Sequence, residues 1–183
     1  MEIIETPLKD CFIIRNNVIG DNRGYFFESF NHRRFSSLTG WEGQFVQDNQ
    51  SCSKFGVVRG LHFQRGESAQ AKLVRVLQGK VLDVAVDLRP HSPSFGKWFA
   101  VELSDDNATQ FFVPRGFAHG FSVLSESATF FYKCDNYYHK EAEGGIHPYD
   151  GFLDIDWKIA ATDALLSDKD KAAGSWQDFL DNL

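Results

Sequence analysis

The stretch from Lys72 to Leu88, KLVRVLQGKVLDVAVDL, constrains the fold more than any other part of the chain. Val74 and Val76 share a face with Lys72, while Leu73 and Leu77 share the opposite face with Arg75. A period of two belongs to strands, whose successive side chains point to opposite faces; a helix would scatter these residues around its axis. Gln78-Gly79-Lys80 interrupts the run as a turn signal, so the stretch predicts two antiparallel strands joined there. Lys72 on an apolar face, and His62 just upstream in RGLHFQ, are the two residues that a purely structural strand does not need.

The same pattern extends along the chain. WFAVELS, QFFV, FAHGFSVLS and ATFFYKCDNYY each read as strands, separated by the turns SDDNA and PRG. Toward the N-terminus, IIETPL and CFIIRNNVI suit one or two edge strands, because Pro7 cannot donate to a ladder. Asp21 to Gly24 forms a turn, followed by a strand in which Tyr25, Phe27 and Ser29 oppose Phe26, Glu28 and Phe30. NHRRFSSLTG predicts a short helix ending near Gly40, and the amide-rich run from Gln47 to Ser51 reads as a turn. FLDIDW alternates as a last strand. Beyond it, a tail over about residues 160–183 carries two short helical turns, whose starts at Ser167 and Ser175 have the form of capping boxes. Many strands with Gly/Pro turns and little helix predict an all-β sandwich or jelly roll, as one domain over residues 1–183.

Composition narrows the function. Hydrophobic residues make up 43% of the chain, with 18 Phe against a single Met, which is ample material for a rigidly packed core. The net charge of −6 argues against a nucleic-acid partner held by counterion release. Cys11, Cys52 and Cys134 are too scattered for a disulfide framework or a zinc clip and point to a reducing compartment. Neither a signal peptide nor an apolar run of about 20 residues is present, so a cytoplasmic protein without a membrane partner is expected.

His62 and His119, each close to a glycine, fall on what should be facing strands. A histidine in such a place is more often a satisfied core residue than a functional one. A metal site of the kind built in jelly rolls needs a second histidine two residues after His62 and an acid near Ala69 to Lys72. It also needs a third histidine four residues after His119. Gln64 and Val123 fill the two histidine positions, no acid stands in that region, and Lys72 would add an unfavourable charge. The site reads as metal-free. Position alone makes Arg23 and Glu28 solvent-facing charges.

The segments DNRGYFFESF, FVQDNQS, GVVRGLHFQ, AKLVRVLQGKVLDVAVDLR, FGKW, VPRGFAHGFSVLS, FYKCDNYY and LSDKD, in this order from about Asp21 to Asp170, carry a family likeness. Together they resemble the dTDP-4-dehydrorhamnose 3,5-epimerase family. That resemblance implies a cupin-type β jelly roll, a double-stranded β-helix, with short flanking helices. It implies an isomerase that inverts C3 and C5 of dTDP-4-dehydro-6-deoxy-D-glucose through enolates, with no metal or redox cofactor, giving dTDP-4-dehydro-L-rhamnose.

The resemblance assigns His62 as the base, Lys72 as the cation beside the enolate oxygen, Tyr132 as the proton donor on the opposite face, and Asp170 as the acid that orients His62. Histidine has an ordinary pKa of about 6.5, which suits proton abstraction near neutrality. Asp83 competes with Asp170 for the orienting role, because a free carboxylate on a central apolar strand would be costly. Arg23, Glu28, Gln47, Asp48, Asn49 and Arg59 correspond to residues placed around the nucleotide sugar, as do His119, Glu143 and Lys169. Tyr138 corresponds to a tyrosine stacked on thymine, with Tyr137 its nearest rival. A homodimer with exchanged N-terminal strands is implied as well. Two readings remain beside the double epimerase: an enzyme acting on one carbon or moving the carbonyl, and a non-catalytic nucleotide-sugar-binding cupin. Retention of His62, Lys72 and Tyr132 weighs against the second.

Overall fold

The computed structural model describes residues 1–183. Its N-terminal strands are β1 (Glu2–Glu5), β2 (Phe12–Arg15), β3 (Ile19–Asp21) and β4 (Gly24–Phe26), followed by the helix α1 (His32–Thr39). Then come β5 (Gln47–Lys54), β6 (Val58–Gln64), β7 (Lys72–Gln78), β8 (Lys80–Asp87) and β9 (Trp98–Ser104). The last strands are β10 (Thr109–Val113), β11 (Phe117–Val123), β12 (Ser127–Cys134) and β13 (Glu143–Gly145), and α2 (Asp168–Lys171) and α3 (Trp176–Asp181) close the chain. No helix is long and apolar enough to cross a membrane.

Two antiparallel sheets form the body, one in the order β1-β2-β10-β7-β12-β5 and the other β13-β6-β11-β8-β9. From β5 to β8 each strand lies in the opposite sheet from its predecessor, and the same holds from β9 to β12. This is the winding of a jelly roll. The two strands predicted in Lys72–Leu88 are present, but they do not pair with each other. β7 lies between β10 and β12, whereas β8 lies between β11 and β9. Gly79 turns the corner between sheets with φ +81°, and a Cβ there would sit 2.1 Å from Ser127 O. The hairpin expectation failed because both edges of each strand are taken by more distant partners. β8 carries the trace of this in its sequence, being buried on both faces.

Those two faces serve two cores. Val81 and Ala85 point between the sheets with Val74, Phe121 and Phe130, whereas Leu82, Val84 and Val86 pack beneath the C-terminal segment with Leu153, Ile155 and Trp157. A third, smaller cluster seats Phe35 of α1 against Phe112. FLDIDW is therefore not a strand. Leu153, Ile155 and Trp157 alternate in burial but lie on the face of the five-stranded sheet, where no ladder partner is available.

Two further expectations are corrected. The run Gln47–Ser51 is the start of β5, paired along its length with β12, and not a turn. The strand expected from Tyr25 to Phe30 stops at Phe26 and pairs only with β3 in a small exposed hairpin. The helix ending at Gly40 forms as expected, with Gly40 in the left-handed region at φ 71° and Asn31 accepting the Arg34 N–H.

Candidate active site

Both histidines stand on the five-stranded sheet. His62 on β6 and His119 on β11 are directly opposite one another in register, on neighbouring strands and not on facing ones. The approach is tight next to them: a Cβ on Gly60 would lie 2.6 Å from Gly120 Cα, and one on Gly120 would lie 2.6 Å from Arg59 O. Glycine at both positions lets β6 and β11 come together across the register shift between His119 and Phe121.

Each imidazole has its own carboxylate. His62 Nε2 is 2.5 Å from Asp170 Oδ1, and His119 Nε2 is 2.9 and 3.0 Å from the two oxygens of Asp83. The choice between Asp170 and Asp83 as partner of His62 is thereby decided by geometry. Capping does not compete with pairing at Asp170. Ser167 Oγ accepts the Asp170 backbone N–H at 3.1 Å and donates to Asp170 Oδ2 at 2.7 Å, which leaves Oδ1 for His62. Burial raises the Asp170 pKa, but the hydrogen bonds from His62 and Ser167 outweigh it and hold the carboxyl below its ordinary range. At Asp83 burial wins, pushing the pKa up despite His119 and Lys72.

The six-stranded sheet supplies the other wall. Lys72, Val74 and Val76 alternate onto the inner face of β7, where their register partners on β12 are Cys134, Tyr132 and Phe130. Tyr132 is in turn opposite Asn49 on β5. The Lys72 ammonium lies 5.8 Å from the centroid of the Tyr132 ring and pairs with no protein carboxylate. Burial lowers the Lys72 pKa, an effect that the nearby Cys134, Asp83 and Glu143 only partly offset. Burial pushes the Tyr132 phenol up to about 12. Between the walls lies a cavity of about 280 Å³ onto which His62, His119, Lys72, Tyr132, Asn49 and Arg59 open.

A hydrogen-bonded group extends outward from β13. Tyr138 donates its hydroxyl to Glu143 Oε2 at 3.0 Å and its backbone N–H to Gln47 Oε1 at 3.1 Å, and Lys169 pairs with Glu143 Oε1. Burial alone would raise the Glu143 pKa, but the bonds from Lys169 and Tyr138 hold it low. The four-residue helix α2 therefore serves two tasks, aiming Asp170 at His62 and Lys169 at Glu143. Gln47 continues the chain of contacts to Asn49 at 3.1 Å, and Arg59 Nε donates to Ser53 Oγ at 3.1 Å. Tyr137 and Tyr138 are both exposed, and the hydrogen bond to Glu143 comes from Tyr138.

Three predicted binding residues join neither the cavity nor this outward group. Asp48 falls on the opposite face of β5 from Gln47 and Asn49, and Lys133 Nζ is 3.0 Å from both its oxygens. Arg23 is exposed at the tip of the β3–β4 hairpin and pairs with Asp21, and Glu28 is exposed and accepts from Asn31 Nδ2 at 3.1 Å. Sequence reasoning missed two participants: Asp83 as the partner of His119, and Ser167 as a second donor to Asp170. A carboxylate amid apolar neighbours was the available signal for Asp83. For Ser167 the capping-box spacing was visible, but not the bond to the side chain.

The model of the dTDP-4-dehydrorhamnose 3,5-epimerase family matches residues 5–178. The chain belongs to that family. An Escherichia coli K12 member, a dTDP-4-dehydrorhamnose 3,5-epimerase, is 53% identical over 171 residues, covering 93% of this chain and 92% of the relative. The crystal structure of the Elizabethkingia anophelis family member superposes with a TM-score of 0.94 at 57% identity, covering 97% of each chain. A Legionella pneumophila dTDP-6-deoxy-D-glucose-3,5-epimerase, crystallised in complex with dTDP-4-keto-L-rhamnose, gives a TM-score of 0.91 at 50% identity. That match covers 95% of this chain and 92% of the other. The all-β jelly roll is thus the fold of the family's solved members.

Proposed function

We propose that the chain is a 3,5-epimerase that converts dTDP-4-dehydro-6-deoxy-D-glucose to dTDP-4-dehydro-L-rhamnose. One observation carries this reading: a carboxylate-held imidazole on one sheet and a phenol on the other face the same cavity, with an unpaired ammonium beside the phenol. The C4 ketone of the substrate acidifies the hydrogens on C3 and C5. Asp170 accepts the Nε2 proton of His62, so the free Nδ1 lone pair takes the proton from carbon. The electron pair moves onto the ketone oxygen as an enolate, which Lys72 stabilises as a cation already in place and not neutralised by a protein carboxylate. Tyr132, with its pKa pushed up to about 12, is protonated near neutrality and delivers its proton to the opposite face of the carbon. The phenolate and the imidazolium then return to their starting states by proton exchange with solvent. Inversion needs base and acid on opposite faces, and the position of His62 and Tyr132 on separate sheets supports these roles.

The binding roles belong to the same proposal. Gln47, Asn49, Arg59, His119, Glu143 and Lys169 hold the nucleotide sugar, and Tyr138 offers a half-exposed ring for thymine. Arg23 and Glu28 reach a site only from a second copy, in a homodimer that exchanges N-terminal strands. The exposed Ile19, Tyr25 and Phe26 of the hairpin support this, since 62%, 67% and 69% of these apolar residues remains accessible in the single chain. Three free thiols, Cys11, Cys52 and Cys134, accord with a reducing cytoplasm.

Incubation with dTDP-4-dehydro-6-deoxy-D-glucose in deuterated water tests the reading. Deuterium is expected at both C3 and C5; label at one carbon only means a single-carbon epimerase, and no label means a binding protein.

A further inference from the structure

Four acids have carboxylates that are almost wholly buried, and one of them, Asp135, accepts from Arg115 and from the Ala71 N–H. Asp87 is tied to Arg89, Ser92 and Ser94, and Asp170 to His62 and Ser167. Asp83 has a single partner, His119. It is 0% exposed on the central strand β8 and shares with Val81 and Ala85 the face that points between the sheets. Nothing in the proton-transfer scheme above employs it.

Both Asp83 oxygens straddle the one His119 nitrogen at 2.9 and 3.0 Å, the fork of a carboxylate accepting a single N–H. As the anion that Lys72 favours, Asp83 can only accept, which puts the proton on Nε2. His119 Nδ1 has no protein partner, yet it is absent from the buried polar atoms that lack one, so it keeps an opening to solvent through the cavity. Charged and titratable groups face this pair from every neighbouring strand. Lys72 on β7 favours the Asp83 anion, while Tyr132 and Cys134 on β12 are neutral near pH 7 because burial raises both. His62 on β6 is held by Asp170, and Glu143 on β13 is held by Lys169.

We propose that Asp83 is a positioning residue, holding His119 as the Nε2–H tautomer so that its Nδ1 accepts a hydrogen bond from a sugar hydroxyl. The ring would then be gripped by complementary groups: an acceptor, His119, for a hydroxyl, and a donor, Lys72, for the ketone oxygen. A sugar turned over in the cavity would set the ketone, which can only accept, against the Nδ1 acceptor, and would leave the developing enolate oxygen away from the ammonium. His119 thereby sets which way round the ring sits, without touching the proton that moves. This inference rests on the epimerase reading for its kinetic arm only, since the tautomer is a property of the free protein.

Nitrogen-15 NMR of the imidazoles in the unmodified protein tests the tautomer, with the His119 signal assigned by its loss in His119→Gln. Nε2 is expected to carry the proton and Nδ1 to be unprotonated; a proton on Nδ1 overturns the proposal, and the tautomer itself is read in the unmodified protein. The kinetic arm is a double-mutant cycle. Asp83→Asn should lower kcat/KM about tenfold, chiefly through KM, as for loss of one oriented hydrogen bond. In the His119→Gln background the same change should have no further effect, because Asp83 acts only through His119. Losses that multiply would overturn the proposal. An unmodified enzyme with the stated tautomer but no exchange at either carbon would instead sink the epimerase reading and leave the tautomer standing.

Discussion

His62–Asp170 and His119–Asp83 are the same chemical pair on adjacent strands in direct register, yet their surroundings suit them to different work. The His62 side chain is 32% exposed and its carboxylate is held by Ser167 as well, which keeps Asp170 anionic. His119 is 7% exposed, packs against Phe130, and faces a carboxylate with no other donor, whose pKa burial has raised. An imidazole that must gain and lose a proton every turnover needs a partner that remains charged throughout and a route to solvent. One that only holds a tautomer needs neither. Identity of the side chains therefore does not set the role; the number of donors around the carboxylate and the access to solvent do.

The largest expected effect separates the two histidines. His62→Ala should slow deuterium exchange at both carbons by about 10³-fold, within the usual range for removing a general base, whereas His119→Ala should retain most of the exchange rate at saturating substrate. Equal losses would erase the distinction. Next in size, Asp170→Asn should lower kcat by about 10²-fold with KM little changed, because it disturbs the tautomer of the reacting base. An effect confined to KM would make Asp170 resemble Asp83.

A pH profile comes third. In the proposed mechanism Lys72 acts on the enolate only while protonated, and burial lowers its pKa. The rate should therefore fall as pH rises through a value below that of an ordinary lysine, well before Tyr132 titrates at about 12. Lys72→Arg should move that alkaline limb upward, since arginine stays charged; an unmoved limb would assign it elsewhere. The smallest effect is Ser167→Ala, which removes a helix cap and should cost about 1 kcal/mol in a denaturant melt. Because Asp170 is held below its ordinary range, the stability it contributes is present at neutral pH and is lost as pH falls through that lowered value. The loss should begin at higher pH in the Ser167 variant, which lacks one of the bonds that keep the carboxyl ionised.

Much of this was legible in the chain. The alternation in Lys72–Leu88 located β7 and β8 to within a residue, and Gly40, Ser167 and Ser175 marked helix ends where caps form. The choice between Asp170 and Asp83 was not legible, because both satisfy the same local rules. Asp48 illustrates another limit: reading Gln47–Ser51 as a turn left no face to assign, whereas the pairing of β5 with β12 sends Asp48 outward to Lys133.

The sequence by itself determined that the chain forms strands, where most of them break, and that His62 and Lys72 are out of keeping with a plain apolar core. Those are local properties, set by the period of two and by the cost of burying polar groups. Only the tertiary structure decided that β7 and β8 part at Gly79 into different sheets, and that His62 and His119 share one sheet while Lys72 and Tyr132 share the other. It also decided that α2 returns to bring Asp170 to His62. The physical reason is that strand partners are chosen by contacts distant in sequence, so which walls face across a cavity is settled by the winding of the whole chain and not by any one stretch of it.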